Sequence, residues 1–360
     1  EGLGMRSGAA REFPEQAEGR TLELLFEGAS NPAPAVLELR QQDVRRTWKV
    51  RLNDQPLGDL TLDENDLILH LPIAAGSLRD GENRLVVECA AKPHEPADDI
   101  RVGAIRLWPH SPLTGPGASR LRVTVTDTGA QRPTPARLTI VTPDGALVPV
   151  QATPTDRSAV RAGCVYTGDG RVTLTLPAGR YVIYAGRGFE YSLARQEVEV
   201  APGAELDVDL ALRRVVPTEG YIASDTHVHS RTHSGHGDAT VQERMLTLAG
   251  EGVELPIATD HNVQVDLRPF AEEMGVQAWF TPVIGNEVTT KLGHFNVFPI
   301  APDAPTPNHA VGSWEETFQE IERLPGVQVI ILNHARDLHS GTRPFGPKLF
   351  NAVVGENLQG

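Results

Sequence analysis

Short apolar segments that alternate with polar residues and end at turn residues fill the chain from about Arg20 to about Arg214. Typical segments are TWKVRLND and RDGENRLVVECAA in the first part, and RLRVTVTDT and GRVTLTLPAGRYVIYAG in the second. A period of two residues places successive side chains on opposite faces of a strand, whereas a helix needs a period of about 3.6. The pattern therefore predicts antiparallel β-sandwiches over this region.

A segment rich in proline, glycine and serine, PHSPLTGPGAS at positions 109–119, interrupts this pattern. Because such a segment is typical of a linker, we predict one sandwich over residues 17–112 and another over residues 119–216. The first resembles jelly-roll, galactose-binding-like modules through WKVRLNDQPLG and DGENRLVVE, which implies carbohydrate as a partner. The second resembles transthyretin-like or carboxypeptidase-regulatory-like modules through LPAGRYVIYAGRGFEY. Since a fold alone does not establish function, a first sandwich that only packs against its neighbour is an equal alternative.

Beyond Pro217 the pattern changes to strand-like segments that alternate with helix-like ones. YIASDTHVH, VELPIATDHN and VQVIILNHAR are strand candidates, and the last contains an apolar run that we expect to be fully buried. TVQERMLTLAGEG and SWEETFQEIERL have helical spacing, with Thr240 as the N-cap of the first. This alternation predicts βαβ units with a parallel sheet or barrel. We therefore expect an α/β domain over residues 218–360.

Nine of the twelve histidines lie between His227 and His339. The polar clusters DTHVH, TDHN, GNE and NHAR each follow a strand-like segment at its carboxyl end, where parallel α/β barrels assemble their active sites. His227 and His229 are two residues apart, so on a strand they point to the same face and can bind one metal ion. Taken alone, this pair could equally be a solvated polar face. The other three clusters favour a metal site.

In this order and at these intervals, DTHVHS, ATDHN, GNEVTTKLGHFNVF and NHAR resemble the motifs of the polymerase-and-histidinol-phosphatase (PHP) metallohydrolase superfamily, most closely its CehA/McbA-like branch. The similarity runs from Gly220 to the end of the chain. It implies a distorted (β/α)7 barrel that binds two or three divalent metal ions, zinc, manganese or iron, in a cleft. It also implies hydrolysis of phosphoesters, as in most characterised groups, or of a carbamate ester, as in the namesake of the branch.

The resemblance also implies the metal ligands. His227 and His229 would hold the first ion. Glu287 would bridge it to a second ion, whose site His294 and His334 would complete.

A third ion would be bound by His261 and by one residue of the loop after His229. Two residues of this loop compete, His236 and Asp238, and Asp238 is preferred because it matches the more usual aspartate. His233 lies in the same loop, and we interpret it as a residue near the site or exposed to solvent.

Arg336 and Asp260 are the candidate catalytic residues beside the ligands. Arg336 could bind an anionic substrate oxygen through its guanidinium group, although an arginine near acidic residues can also be only an ion-pair partner. Asp260 precedes His261 on a strand and so points to the opposite face, where it would support the site rather than bind an ion. His309 lies in a proline-rich loop and is interpreted as a surface residue.

Bound metal ions can lower the pKa of water to about 7, which creates hydroxide for attack on phosphorus or a carbonyl carbon. The expected function is a metal-dependent hydrolase of a small anionic or ester substrate, and a phosphoesterase is preferred because three ions match a multiply charged phosphoryl group. A carbamate or carboxyl ester hydrolase is one alternative, and a carbohydrate-binding protein with an inactive barrel is another. The 33 Lys and Arg against 47 Asp and Glu disfavour nucleic acid as a partner.

The superfamily normally closes its site with an Asp-x-His on a late strand, inside a GSDSH-like phrase, and no such phrase follows FNAVVGENLQG. Asp337 and His339 form an earlier Asp-x-His just past the NHAR strand, and we interpret them as shaping the pocket. Only about four or five strand units fit after Gly220. We therefore expect a barrel that is incomplete at the carboxyl terminus, with the remainder of the same protein as a partner. Two sandwiches ahead of a hydrolase suggest, by analogy, a periplasmic or secreted protein. Because the chain has no run of about eighteen apolar residues, no membrane span is expected.

Overall fold

The computed structural model divides the chain into two compact units. Unit 1 contains the residues up to Gly186 and Tyr191–Arg214, and unit 2 contains Arg187–Glu190 and the residues from Val215 onwards. The structure describes residues 19–92, 99–153, 157–335, 345, 350–351, 353 and 356–357.

Two antiparallel sheets form the first part of unit 1. Their strands are β1 (Thr21–Gly28), β2 (Ala35–Gln42), β3 (Trp48–Leu52), β4 (Gln55–Asp59), β5 (Leu67–Ile73), β6 (Gly81–Cys89) and β7 (Arg101–Trp108). One sheet has the order β1-β6-β3-β4 and the other the order β5-β2-β7. Leu37 and Leu39 of the second sheet share a buried core with Val50 and Leu52 of the first. The prediction of a β-sandwich is confirmed here.

A second sandwich completes unit 1. Its strands are β8 (Ser119–Asp127), β9 (Arg132–Pro133), β10 (Ala136–Val141), β11 (Gln151–Ala152), β12 (Ser158–Arg161), β13 (Cys164–Thr167), β14 (Arg171–Leu176), β15 (Gly179–Gly186), β16 (Ala194–Val200) and β17 (Glu205–Leu212). The sheets have the orders β12-β13-β10-β15-β16 and β11-β14-β8-β17, and β9 pairs with β8. Leu121 and Val123 of β8 pack against Leu138 and Ile183 of the facing sheet. The β8–β17 pair is parallel, a detail that alternation along the chain does not predict.

Unit 2 contains the predicted alternation of strands and helices. Its elements are β18 (Ser224–Val228), α1 (Arg231–Ser234), α2 (Val241–Gly250), β19 (Leu255–Ala258), α3 (Arg268–Glu273), β20 (Val283–Ile284), β21 (Asn286–Thr289), β22 (His294–Phe298), α4 (Trp314–Glu322), β23 (Val329–Asn333), β24 (Phe350–Asn351) and β25 (Glu356–Asn357). Strands β18, β19 and β20 form a parallel sheet, β21, β22 and β23 form an antiparallel sheet, and β24 pairs with β25. The described residues of unit 2 do not form a closed barrel, so the (β/α)7 barrel stays a prediction.

Helix α2 begins where the sequence indicates. The Thr240 side chain accepts a hydrogen bond from the Glu243 backbone N–H, and the Glu243 side chain accepts one from the Thr240 backbone N–H. This reciprocal capping satisfies two groups that a helix start otherwise leaves unpaired. The helix then buries Met245 and Leu246. None of the helices in the described ranges has the length and apolarity needed to cross a bilayer.

Strand β23 forms as expected, but its apolar run is not fully buried. Val329 and Ile330 are each 38% exposed. The reason is topological, because β23 is the edge strand of its sheet within the described part of the chain.

Gly285 separates β20 from β21 and lies close to two neighbouring strands. A Cβ at this position would be 2.9 Å from the carbonyl oxygens of both Ala258 and Val297. We expect Gly285→Ala to force these strands apart and to lower the stability of unit 2 by about 1–3 kcal/mol, the usual cost of overpacking. Thermal unfolding measures this loss. Gly312→Ala is the matched control, because its nearest neighbour would be a Glu316 carboxylate oxygen at 3.6 Å; equal melting temperatures for the two variants would contradict the prediction.

Candidate metal centre

Alternation along the strands gives the antiparallel sheet of unit 2 one polar face. The register pairs Glu287 of β21 with Asn296 of β22, and His294 of β22 with Asn333 of β23. Because paired residues point to the same side of a sheet, these four side chains share a face. The opposite face is apolar and packs against α4 through Val288, Phe295, Val297 and Ile321.

The parallel strands bring three further imidazoles to this polar face. His227 and His229 come from the end of β18, and their ring centroids are 4.8 Å apart. His261 follows β19, and a parallel bridge joins it to Glu287. Polar residues at the ends of β18, β19, β20 and β23 therefore meet in one place, as the carboxyl ends of neighbouring strands do in parallel α/β folds.

One carboxylate oxygen of Glu287 faces three of these rings. Oε2 lies 3.4 Å from Nε2 of His227, 3.0 Å from Nε2 of His229 and 3.0 Å from Nδ1 of His261. The Glu287 side chain is 0% exposed. None of these three short contacts has the geometry of a hydrogen bond to Oε2. Several nitrogen atoms gathered around one buried carboxylate oxygen are the arrangement that a shared cation requires.

The other carboxylate oxygen faces a second pair of rings. Oε1 lies 3.2 Å from Nδ1 of His294 and 3.6 Å from Nε2 of His334. Glu287 is therefore placed between two sets of imidazoles, with one oxygen toward each set. This arrangement suits a bridging carboxylate between two cations.

The spacing of the first set fits a divalent metal. Nε2 of His227 is 2.9 Å from Nε2 of His229, which completes a triangle with Glu287 Oε2. Tetrahedral coordination with bonds of about 2.0–2.1 Å places ligand atoms roughly 3.3 Å apart. His227, His229 and Glu287 form one group of ligand atoms in the described chain, and His261, Glu287 and His294 form another. Nitrogen and carboxylate donors suit zinc, manganese and iron.

The imidazoles also determine the charge state of Glu287. Burial alone would raise its pKa, but His227, His229, His261 and His294 outweigh burial and hold the pKa of this carboxyl well below its usual range. Glu287 is thus ionised, as a metal ligand must be.

The loop after His229 contains the two candidate ligands of a third ion, His236 and Asp238, and it places His236 beside the rings of His229 and His261. The His236 ring is centred 5.3 Å from His229 and 5.7 Å from His261. Burial, and then the electrostatic effect of the neighbouring His229 and His261 rings, lower the pKa of His236. Asp238 is partly buried and belongs to neither group of ligand atoms. His236 belongs to neither group as well, so the preference for Asp238 stays a prediction and His236 stays the competing candidate.

Other residues singled out in the sequence occupy different environments. His233 is exposed and has its ring 5.8 Å from that of Phe270, and His309 is exposed on its loop. Asp260 is buried and accepts hydrogen bonds from the Ser230 backbone N–H at 2.7 Å and the Ser234 hydroxyl at 2.6 Å. It therefore contacts the loop that follows His229. Arg336, Asp337 and His339 lie outside the described residues.

Two buried asparagines support Glu287; both lie inside the motifs NHAR and GNEVTTKLGHFNVF, but the sequence analysis assigned them no role. The Asn333 amide donates to Oε1 of Glu287 at 3.0 Å and to Oδ1 of Asn296 at 2.6 Å. Asn296 donates in turn to the Thr226 carbonyl at 2.8 Å. The signal that could have found them is a polar residue inside an otherwise apolar strand, as in VIILN and HFNVF, because a buried amide needs partners.

Comparisons with known proteins assign no family. No protein-family model matches the chain, and no curated protein matches it. Among solved structures, the chain is similar to the Bacillus anthracis TIE protein, at 10% identity and a TM-score of 0.21 over 56% of this chain and 42% of that chain. It is similar to the Faecalibacterium prausnitzii β-glucuronidase at 12% identity and a TM-score of 0.22, over 73% of this chain and 50% of that one. The chain thus spans about half or less of these proteins, and likeness at these TM-scores carries no conclusion about fold or function.

The low pKa of Glu287 has a consequence for acid stability. The folded carboxyl titrates below the ordinary value of 4.5, so its contribution to stability is present above that pH and is lost as the pH falls toward the folded pKa. We expect the metal-free protein to lose stability between about pH 5 and pH 3, and Glu287→Gln to lose less over the same interval. Denaturation curves in the presence of a chelator measure both. Parallel pH dependence in the two proteins would contradict this account.

Proposed function

We propose that unit 2 is part of a metal-dependent hydrolase of the PHP superfamily, with a distorted (β/α)7 barrel, and that it cleaves phosphoesters. The observation that carries the proposal is the position of Glu287, whose Oε2 faces His227 and His229 while Oε1 faces His294 and His334. The same residues are those that the resemblance implies as ligands of two bridged ions.

The chain's own residues supply the conditions that such chemistry needs. His227, His229 and Glu287 would hold one divalent ion, and His294, His334 and Glu287 another. When bound, such ions make water a nucleophile at neutral pH and polarise the ester oxygen.

The surrounding residues keep the ligands in place without joining them. The buried amide of Asn333 donates to Oε1 of Glu287, and Asn333 also donates to Oδ1 of Asn296. Ligands held in this way need little rearrangement during the reaction. Such preorganised groups are the usual source of electrostatic stabilisation in enzymes.

A phosphoester substrate is preferred over a carbamate or carboxyl ester. The His261 ring lies 4.6 Å from that of His229 and 5.7 Å from that of His236, and His261 and His236 would allow a third ion. Additional positive charge favours a multiply charged phosphoryl group over a neutral carbonyl. The two sandwiches of unit 1 would be accessory modules, and export to the periplasm or the exterior is part of the same proposal.

Metal content and hydrolysis test the proposal together. We expect elemental analysis of the purified chain to find at least two divalent ions, and hydrolysis of p-nitrophenyl phosphate to exceed that of a naphthyl carbamate. His227→Ala/His229→Ala removes two ligands of one ion. It should lose that ion and lower the rate by about two orders of magnitude or more, because a catalytic metal contributes several kcal/mol to the transition state.

A matched control is His309→Ala, which removes an exposed imidazole of the same unit. It should keep the metal content and rate of the wild type. A wild-type chain that is loaded with zinc or manganese and hydrolyses neither substrate would refute the enzyme proposal. Faster hydrolysis of the carbamate would replace phosphoesterase by the other ester hydrolase.

A further inference from the structure

Ser234, the last residue of α1, places its hydroxyl among three polar groups. Its Oγ lies 2.6 Å from Oδ1 of Asp260, 3.1 Å from the backbone nitrogen of His261 and 3.2 Å from Nδ1 of His229. Neither the sequence motifs nor the implied ligand set includes this serine. Its contacts nevertheless connect Asp260 and His261, which follow β19, to the imidazole of His229.

The direction of each hydrogen bond follows from the groups involved. A hydroxyl has one proton to donate, and it accepts through its lone pairs. The His261 backbone N–H can only donate to Oγ. The Asp260 carboxylate accepts, as it also does from the Ser230 backbone N–H at 2.7 Å. The single proton of Ser234 therefore goes to Asp260, and Nδ1 of His229 must carry a proton of its own to bond to Oγ.

This assignment decides which nitrogen of His229 can bind a metal. In a neutral imidazole with a proton on Nδ1, the lone pair is on Nε2. Nε2 is the atom that lies 2.9 Å from Nε2 of His227 and 3.0 Å from Oε2 of Glu287. The bond to Ser234 thus selects the tautomer in which the free lone pair points into the centre.

We propose that Ser234 is a positioning residue. It donates a hydrogen bond to the Asp260 carboxylate and accepts one from Nδ1–H of His229, and so fixes the Nδ1–H tautomer of His229. The same hydroxyl oxygen accepts the His261 backbone N–H, so one hydroxyl contacts both the His229 ring and the backbone of His261. The inference deepens the proposed function and rests on it where metal affinity is concerned. The tautomer, in contrast, is a property of the metal-free chain and can be measured without any ion.

The first measurement is imidazole nitrogen NMR of the full, metal-free chain labelled with ¹⁵N-histidine, at about pH 8, where an ordinary histidine is neutral. A His229→Asn spectrum assigns the His229 signals. We expect the wild type to show the Nδ1–H tautomer, Ser234→Ala to show a mixture of tautomers, and Ser234→Thr to restore the wild-type form. An Nε2–H tautomer of His229 in the assigned wild-type spectrum would overturn the proposal, whatever the Ser234 variants show.

Ser230→Ala is the matched control. The Ser230 hydroxyl lies 3.3 Å from the same carboxylate and caps α1, but its contacts are with Asp260 and the His233 N–H rather than with an imidazole. We therefore expect this variant to keep the wild-type tautomer even where it lowers stability.

The second measurement is zinc affinity by competition with a chelator. Loss of a group that orients a ligand typically costs about 10–100-fold in metal affinity, so Ser234→Ala should bind zinc about 10–100-fold more weakly, and Ser230→Ala should remain near the wild type. Equal losses in the two variants would mean that Ser234 has only a structural role and would overturn the proposal. A wild type with the Nδ1–H tautomer that binds no zinc would refute the proposed function while supporting the tautomer assignment.

Discussion

Unit 2 is organised around the burial of one ionised carboxylate. A charge such as that of Glu287 is expensive to remove from water unless other groups replace the solvent around it. Five imidazoles and the Asn333 amide do so, and they come from strands that are distant in sequence. The strands must therefore reach this point together, since a displaced strand would leave the charge without compensation.

The same strands must also provide an apolar core. In β21 and β22, the residues that alternate with Glu287 and His294 are Val288 and Phe295, which are buried against α4. Phe295 packs edge-on against Trp314 and Phe318 of that helix. The rigid packing below the sheet thus supports the polar face above it, because closely packed interiors resist small shifts.

Local patterns predicted much of this protein, and long-range contacts account for what they missed. Period-two alternation is a property of neighbouring residues, so it indicated the sandwiches of unit 1 but not the parallel pairing of β8 with β17. The histidine clusters were found because each follows a strand, and the structure brings His227, His229, His261, His294 and His334 to one carboxylate.

The conformation around these clusters was less accessible from the sequence. His334 and Asn262 have positive φ values of 49° and 55°. Residues with a Cβ rarely adopt this left-handed conformation, and although Asn and His adopt it more often than most, the phrases NHAR and TDHN do not show which position does. Ser234 at the end of α1 is a similar case, because its role depends on contact with Asp260, which lies 26 residues further along the chain.

The side chains that hold the candidate ligands in place lie next to other candidate ligands in the sequence. Asp260 precedes His261 but acts through Ser234 on His229. In the same way, Asn296, two residues after His294, accepts from Asn333, which precedes His334. The carboxyl ends of β19 and β23 therefore each carry one group that faces the centre and one that contacts a neighbouring element. Such reciprocal support means that the ligand positions form and fail as a set, so metal binding would stabilise the whole of this edge of unit 2 rather than a single loop.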